Sequence, residues 1–98
     1  MMTQGRPRGR IDADTASEVA IAALGFLAAD GDRLSRFLAL SGLGPDNLRS
    51  AAAQPGFLGG VLAHLLADES LLHVFAAEHG VAPETVVAAH ARLESAGG

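Results

Sequence analysis

Apolar residues recur every three or four positions along most of the chain, in short runs separated by glycine, proline and aspartate. This spacing collects apolar side chains on one face of an α-helix, whereas a half-buried strand requires strict alternation. No stretch of the sequence alternates with period two. We therefore predict an all-α fold, a compact array of five to six short helices joined by tight turns. At 98 residues the chain has room for one core only.

Capping and stop residues predict where the helices begin and end. A capping box, Thr-Ala-Ser-Glu at residues 15–18, is expected to start a first helix that ends near Ala29. Because this helix is apolar on nearly every side, it is predicted to be central, with Gly25 allowing a neighbouring helix to cross closely. Five shorter helices are predicted to follow: 33–41 capped by Asp32, 45–53, 55–67, one from a cap at Asp68 or Ser70 to Gly80, and one from Pro83 onward.

The basic residues are placed unevenly along the chain. Residues 1–13 contain Arg6, Arg8 and Arg10 and almost nothing to bury, so we predict a flexible arm there and a single helical domain over 14–96. The chain after residue 10 contains four arginines and eleven carboxylates, which gives it a formal net charge of −7. A basic arm therefore precedes an acidic body.

The apolar run at residues 19–29 argues against a membrane role. Its eleven residues are too few for a bilayer span, which takes about 20. Asp12, Asp14 and Glu18 lie between the arginines and this run, where a secretory signal has no carboxylates. We predict a cytoplasmic protein without membrane contact.

Histidines and carboxylates suggest a metal site at first sight. His64 and Asp68, and again Glu69 and His73, have the i, i+4 spacing by which helical side chains share a metal ion. However, a helix break near Asp68 is expected to separate the two pairs, and the Glu-x-x-His spacing of di-iron bundles is absent. The chain also has no cysteine, which excludes thiolate sites. We therefore predict no metal.

Catalytic chemistry has little support in the sequence. Most carboxylates lie at predicted helix starts, where they cap amides and complement the helix dipole. Neither a nucleophile elbow nor a glycine-rich phosphate loop is present. We predict no enzymatic activity and no cofactor; a small enzyme would require a pocket lined by convergent histidines and carboxylates.

Arg49 admits two interpretations. It could bind an anion, or it could form an ion pair with Asp68 or Glu69 that pins two helices together. We prefer the ion pair.

The stretch AAEHGVAPETVV, residues 76–87, has the spacing of a helix-turn-helix: Ala76 precedes Gly80 by four, Val81 follows, and Val86 anchors the second helix. The first turns of that helix offer no Arg, Lys, Asn or Gln for base edges or phosphates. The Arg-Gly-Arg core of PRGR, residues 7–10, resembles an AT-hook but lacks its trailing proline. Nucleic-acid binding through the arginine arm and the helix-turn-helix-like pair of helices is therefore the alternative rather than the leading hypothesis.

The last predicted helix offers a surface for a partner. Val86, Ala89 and Leu93 form one stripe and are expected to face the core. Val87 lies about 100° away from Val86 and outside that stripe. We therefore predict a non-enzymatic protein-interaction module that binds itself or another protein. The predicted partner surface consists of Val87, Ala88 and Ala91.

One family resemblance rests on the order and spacing of mostly apolar residues in FLALSGLGPDNLRSAAAQPGFLGGVLAHLLADESLLHVFAAEHG. The features that carry it are Phe37-Leu38 with Ser41-Gly42, Leu48-Arg49, Pro55 with Phe57-Leu58, Val61-Leu62, Asp68-Glu69 and Phe75. Over roughly residues 17 to 93 the chain resembles a family of small bacterial proteins catalogued as a domain of unknown function. The resemblance implies a small helical fold and brings no activity, cofactor or functional residue.

Overall fold

The computed structural model describes residues 11–54 and 56–97, and this part of the chain contains six helices and no strand. The prediction of an all-α array is confirmed. The arginines of the predicted arm, at positions 6, 8 and 10, lie outside the described residues. The helices are α1 (Ala13–Ala28), α2 (Gly31–Ser41), α3 (Pro45–Ala52), α4 (Phe57–Leu66), α5 (Glu69–His79) and α6 (Pro83–Gly97).

Helix α1 is the centre of the fold, as predicted. It packs mainly against α6 and α4, and also contacts α2 and α5. Three of its buried residues are alanines with no exposed surface, Ala16, Ala20 and Ala23, and such small side chains let neighbouring helices approach closely. Its opposite face reaches solvent, so that Ile21 is exposed.

The close helix crossing lies elsewhere than predicted. Gly25 is exposed and has no neighbouring helix within 4 Å of where a Cβ atom would stand, so that prediction is wrong. The crossing occurs instead between α4 and α6 at Gly59. A Cβ atom there would lie 3.9 Å from Cβ of Leu93 and 3.2 Å from a carboxylate oxygen of Glu94. The absence of a side chain at Gly59 therefore lets α4 approach α6 closely.

The start of α1 also differs from the prediction. Its cap is Asp12, whose Oδ1 accepts a hydrogen bond of 2.8 Å from the Thr15 amide. Thr15 is thus already inside the helix, and the capping box predicted at residues 15–18 is wrong. Ile11 packs against the core. Residues 11–13, which we assigned to the arm, therefore belong to the folded domain.

Aspartate caps and glycine stops delimit the other helices. Asp30, and not the predicted Asp32, caps α2 by accepting from the Asp32 and Arg33 amides at 2.9 and 3.2 Å. Asp68 caps α5, and it is one of the two residues predicted as candidates for this cap. Gly42 and Gly80 end α2 and α5 with φ of +73° and +63°, a left-handed conformation that glycine adopts without a steric penalty.

Aromatic contacts attach α2 to the rest of the domain. The Phe37 ring lies edge-on to Phe57 and to His64, with centroids 6.1 and 5.2 Å apart. At the other end of α2, the Arg33 guanidinium lies 4.3 Å from the centroid of the Phe26 ring, a cation–π contact. Helix α2 is therefore held against the rest of the domain at two points, Arg33 and Phe37.

No single helix of the described residues is long and apolar enough to cross a membrane. Helices α4 and α5 pass the same test only as a pair, and they are bent by 108° at the break between them.

Candidate functional site

Helices α5 and α6 hold the residues of the predicted helix-turn-helix. Gly80 makes the turn, the Val81 amide donates to the Ala76 carbonyl at 3.1 Å, and Val86 is fully buried. Yet α6 packs mainly against α1 and α4 and only lightly against α5. The pattern at residues 76–87 therefore closes a turn between two core helices.

The outer face of α6 is exposed, as the helical spacing of its apolar residues predicts. Val86 and Ala89 have no exposed surface and Leu93 packs against the core, which agrees with the predicted inward stripe. On the other side, Val87 is 53% exposed and Ala91 is exposed, whereas Ala88 is half-buried. The predicted partner surface is thus open to solvent at two of its three positions.

A second surface, which the sequence did not suggest, is a groove of about 390 Å³ between α2 and the corner where α4 meets α5. One wall is the outer side of α2, with Arg36 and Leu40 one turn apart. The facing wall is the corner itself. Its lining residues are His64, Ala67, Asp68, Glu69 and Ser70.

The corner forms where α4 ends at Leu66, with Ala67 as its last capping residue. Asp68 adopts an extended backbone, and its Oδ1 accepts a hydrogen bond of 3.1 Å from the Leu71 amide at the start of α5. The 108° bend places the first turn of α5 beside the end of α4. The predicted break near Asp68 is thereby confirmed, and it separates the pair His64–Asp68 from the pair Glu69–His73. Within residues 11–54 and 56–97 no three histidine, aspartate or glutamate side chains are grouped to hold a metal ion.

His64 is a half-buried lining residue of the groove, and its ring makes a T-shaped contact with Phe37. Burial lowers the pKa of His64 below its ordinary value of 6.5; Asp68 acts in the opposite direction, and Arg36 lowers the pKa further. The imidazole is therefore held in its neutral form more strongly in the folded chain than in the unfolded one.

This lowered pKa predicts a pH-dependent stability. As the pH falls below 6.5, the unfolded chain binds a proton at His64 before the folded chain does. The free energy of unfolding therefore decreases until the pH is below the pKa of His64 in the folded chain. We expect His64→Gln to lose part of the decrease that the wild type shows between about pH 7.5 and 5, measured by urea unfolding. His73→Gln, on an exposed histidine of α5, is the matched control. Equal slopes in the wild type and His64→Gln would contradict this assignment.

The two walls of the groove carry groups that have no partner. Leu40 is 69% exposed, the highest value among the large apolar side chains of the described residues. Arg36 and Glu69 are exposed on opposite walls. Among the described residues, His90 and Glu94 form an ion pair at 3.6 Å, whereas Arg36 and Glu69 have no oppositely charged group within 4.0 Å. An apolar group and two opposite charges therefore remain available at one surface.

Arg49 does not contribute to this site. It is exposed in the last turn of α3, and the described residues place no carboxylate within ion-pair distance of it. The predicted ion pair with Asp68 or Glu69 is wrong, because α3 packs on α4 and not substantially on α5. A cation in the last turn of α3 complements the dipole of that helix.

The sequence alone does not decide whether Leu40 is exposed. Given about 100° per residue, it lies about 160° around the helix from Leu38 but only about 60° from Phe37, so it falls at the edge of their inward stripe. The groove itself could not be found, because it depends on the bend between α4 and α5 and on where α2 lies relative to it.

Comparison with known proteins identifies the family. The family described as "Protein of unknown function (DUF3572)" matches residues 13–96, and the chain belongs to it. The resemblance to a domain of unknown function is therefore confirmed. No curated protein and no solved structure matches the chain.

Proposed function

We propose that this member of the DUF3572 family is a non-enzymatic protein-interaction module that binds a polypeptide in the groove between α2 and the α4–α5 corner. The observation that carries the proposal is the 69% exposure of Leu40 on one wall of that groove. The core of the domain is filled by other residues, so folding does not require an exposed leucine here. Apolar contacts surrounded by polar residues are the usual composition of a protein-binding surface.

The groove fits an apolar side chain flanked by charges. Leu40 and Ala67 supply apolar contact from the two walls. Arg36 is placed to receive a carboxylate, and Glu69 a basic side chain. Because charges at the edge of an interface mainly set orientation and specificity, they select how the partner lies rather than supply most of the affinity.

Catalysis is less well supported, although a histidine and two carboxylates line the groove. The carboxylate of Asp68 is engaged in capping α5. Among the described residues, no hydrogen bond joins His64 to Asp68 or to Ser70, and a catalytic base needs such geometry first. Glu69 is exposed to water. These residues therefore favour recognition over chemistry.

Nucleic-acid binding has no support from α6. The exposed side of its first two turns carries Glu84 and Val87 and no basic residue, so it would repel phosphates. The arginines at positions 6, 8 and 10 lie outside the described residues.

The outer face of α6, at Val87, Ala88 and Ala91, is the second candidate surface. The test compares Leu40→Glu with Val87→Glu, two matched changes from an exposed apolar residue to a carboxylate. A protein that co-purifies with the full chain from its native host is produced separately, and its affinity for each variant is measured by calorimetry. We expect Leu40→Glu to weaken binding at least about tenfold, the effect of losing one apolar anchor, and Val87→Glu to leave it unchanged.

Circular dichroism verifies that both variants fold. If Val87→Glu alone abolishes binding, the outer face of α6 is the docking surface and the groove assignment is wrong. If neither change affects binding, both surfaces are excluded.

A further inference from the structure

The occupant of the groove can be deduced from its charges. We propose that the groove binds the same groove of a second copy of this chain, forming a symmetric dimer in which Arg36 of each copy faces Glu69 of the other. This inference rests on the proposed function, because it names the partner of the same surface.

Self-complementarity is what a two-fold interface requires. In a two-fold dimer the same patch meets itself, so every group that faces the axis must find its complement within that patch. Arg36 and Glu69 satisfy this condition: they lie on opposite walls of one groove, carry opposite charges, and have no ion-pair partner among the described residues. A rotation by 180° brings the basic wall of one copy against the acidic wall of the other.

The apolar groups obey the same symmetry. Leu40 stands on the wall of Arg36, and the exposed Ala67 stands on the wall of Glu69. In the proposed dimer, the rotation that pairs the charges also brings the wall that carries Leu40 against the wall of the other copy that carries Ala67. Burying two leucines in this way gives the dimer its apolar contact, whereas the two charge pairs at the edge fix its register.

The expected dimer is weak. The groove is small, and each chain carries a formal net charge of −4, which opposes association of two copies. We expect a dissociation constant in the range of about 10 μM to 1 mM at about 0.15 M salt, where the repulsion between the two chains is largely screened.

Sedimentation equilibrium of the full-length chain over that concentration range tests the proposal. The wild type should fit a monomer–dimer equilibrium, and Leu40→Glu should remain monomeric. Arg36→Glu and Glu69→Arg should each weaken the dimer about tenfold or more, because each creates two like-charge contacts across the axis. The double variant Arg36→Glu/Glu69→Arg should recover to within about threefold of the wild type, since the exchanged charges again pair. Val87→Glu is the control and should dimerise normally.

Glu69→Arg also places a cation at the start of α5, which opposes the helix dipole. Glu69→Gln avoids this cost and should weaken the dimer less than Glu69→Arg does. Recovery in the double variant cannot arise from a folding defect, because two such defects would add.

A wild type that stays monomeric at about 1 mM, or a double variant no better than its parents, would overturn the dimer. The proposed function is tested separately from the dimer. If the chain is monomeric but Leu40→Glu still abolishes binding of a different protein, the groove is a docking site and only the identity of the partner is wrong.

Discussion

Replacing Phe75 by alanine is expected to lower the free energy of unfolding by about 3–5 kcal/mol. Phe75 has no exposed surface, and it joins α5 to the central helix through an edge-on contact with Phe26, with ring centroids 5.4 Å apart. On its other side the ring stacks with His79 at 4.8 Å. Truncation removes these contacts and leaves a cavity that the surrounding helices cannot fill completely.

Because small domains are stable by only about 5–15 kcal/mol, this single change is expected to remove a large share of the stability of the domain. Urea unfolding followed by circular dichroism measures the effect. Val74→Ala, at the neighbouring exposed position, is the control and should change stability by less than about 1 kcal/mol. A loss below about 1 kcal/mol for Phe75→Ala would mean that α5 is not anchored to the core by this ring.

The second large effect is expected from the adjacent valines of α6. Val86→Glu places a carboxylate at a position with no exposed surface, where it has no partner, so we expect a destabilisation of several kcal/mol. Val87→Glu makes the same chemical change one residue later, at a side chain that is 53% exposed. It should change stability by no more than about 0.5 kcal/mol.

Thermal unfolding of the two variants side by side gives the result. A domain of this size shifts its Tm by about 4–8 °C per kcal/mol, so the expected difference between them is at least about 10 °C. If Val87→Glu also unfolds the domain, Val87 belongs to the core and the outer face of α6 is not a surface. If Val86→Glu folds normally, α6 does not pack on α1 and α4 as described.

The inward stripe of α6 was predictable because it depends on one helix only. Val86, Ala89 and Leu93 follow the helical period, and their burial follows from that period in any all-α fold. The stop at Gly80 was equally local, since a left-handed backbone there favours glycine.

Local capping was predicted less well. Asp12 and Asp30 precede the residues we expected to cap α1 and α2, and both accept amide hydrogen bonds. Several nearby side chains could serve as the cap, and the choice depends on where the chain enters the helix. The entry point is set in turn by tertiary contacts such as those of Ile11 with the core.

The candidate site was not predictable as a whole. The angle of Leu40 on α2, at the edge of the inward stripe, does not decide its exposure. Its proximity to Glu69 depends on the 108° bend after Ala67 and on the contacts of Phe37 with Phe57 and His64. These relations join helices that are separated in sequence. The same reason explains why the pairing of Arg49 with the start of α5 was predicted wrongly.

Site-specific photocrosslinking tests the central claim, that this chain acts by binding a polypeptide in the groove, most directly. A photoreactive phenylalanine derivative is introduced at position 40 in one version of the full chain and at position 87 in another, and each is irradiated in cells of the native host. We expect a discrete covalent protein adduct from position 40, which mass spectrometry identifies as a second copy or as another protein, and none from position 87. Adducts from position 87 alone, or from neither position, would contradict the account.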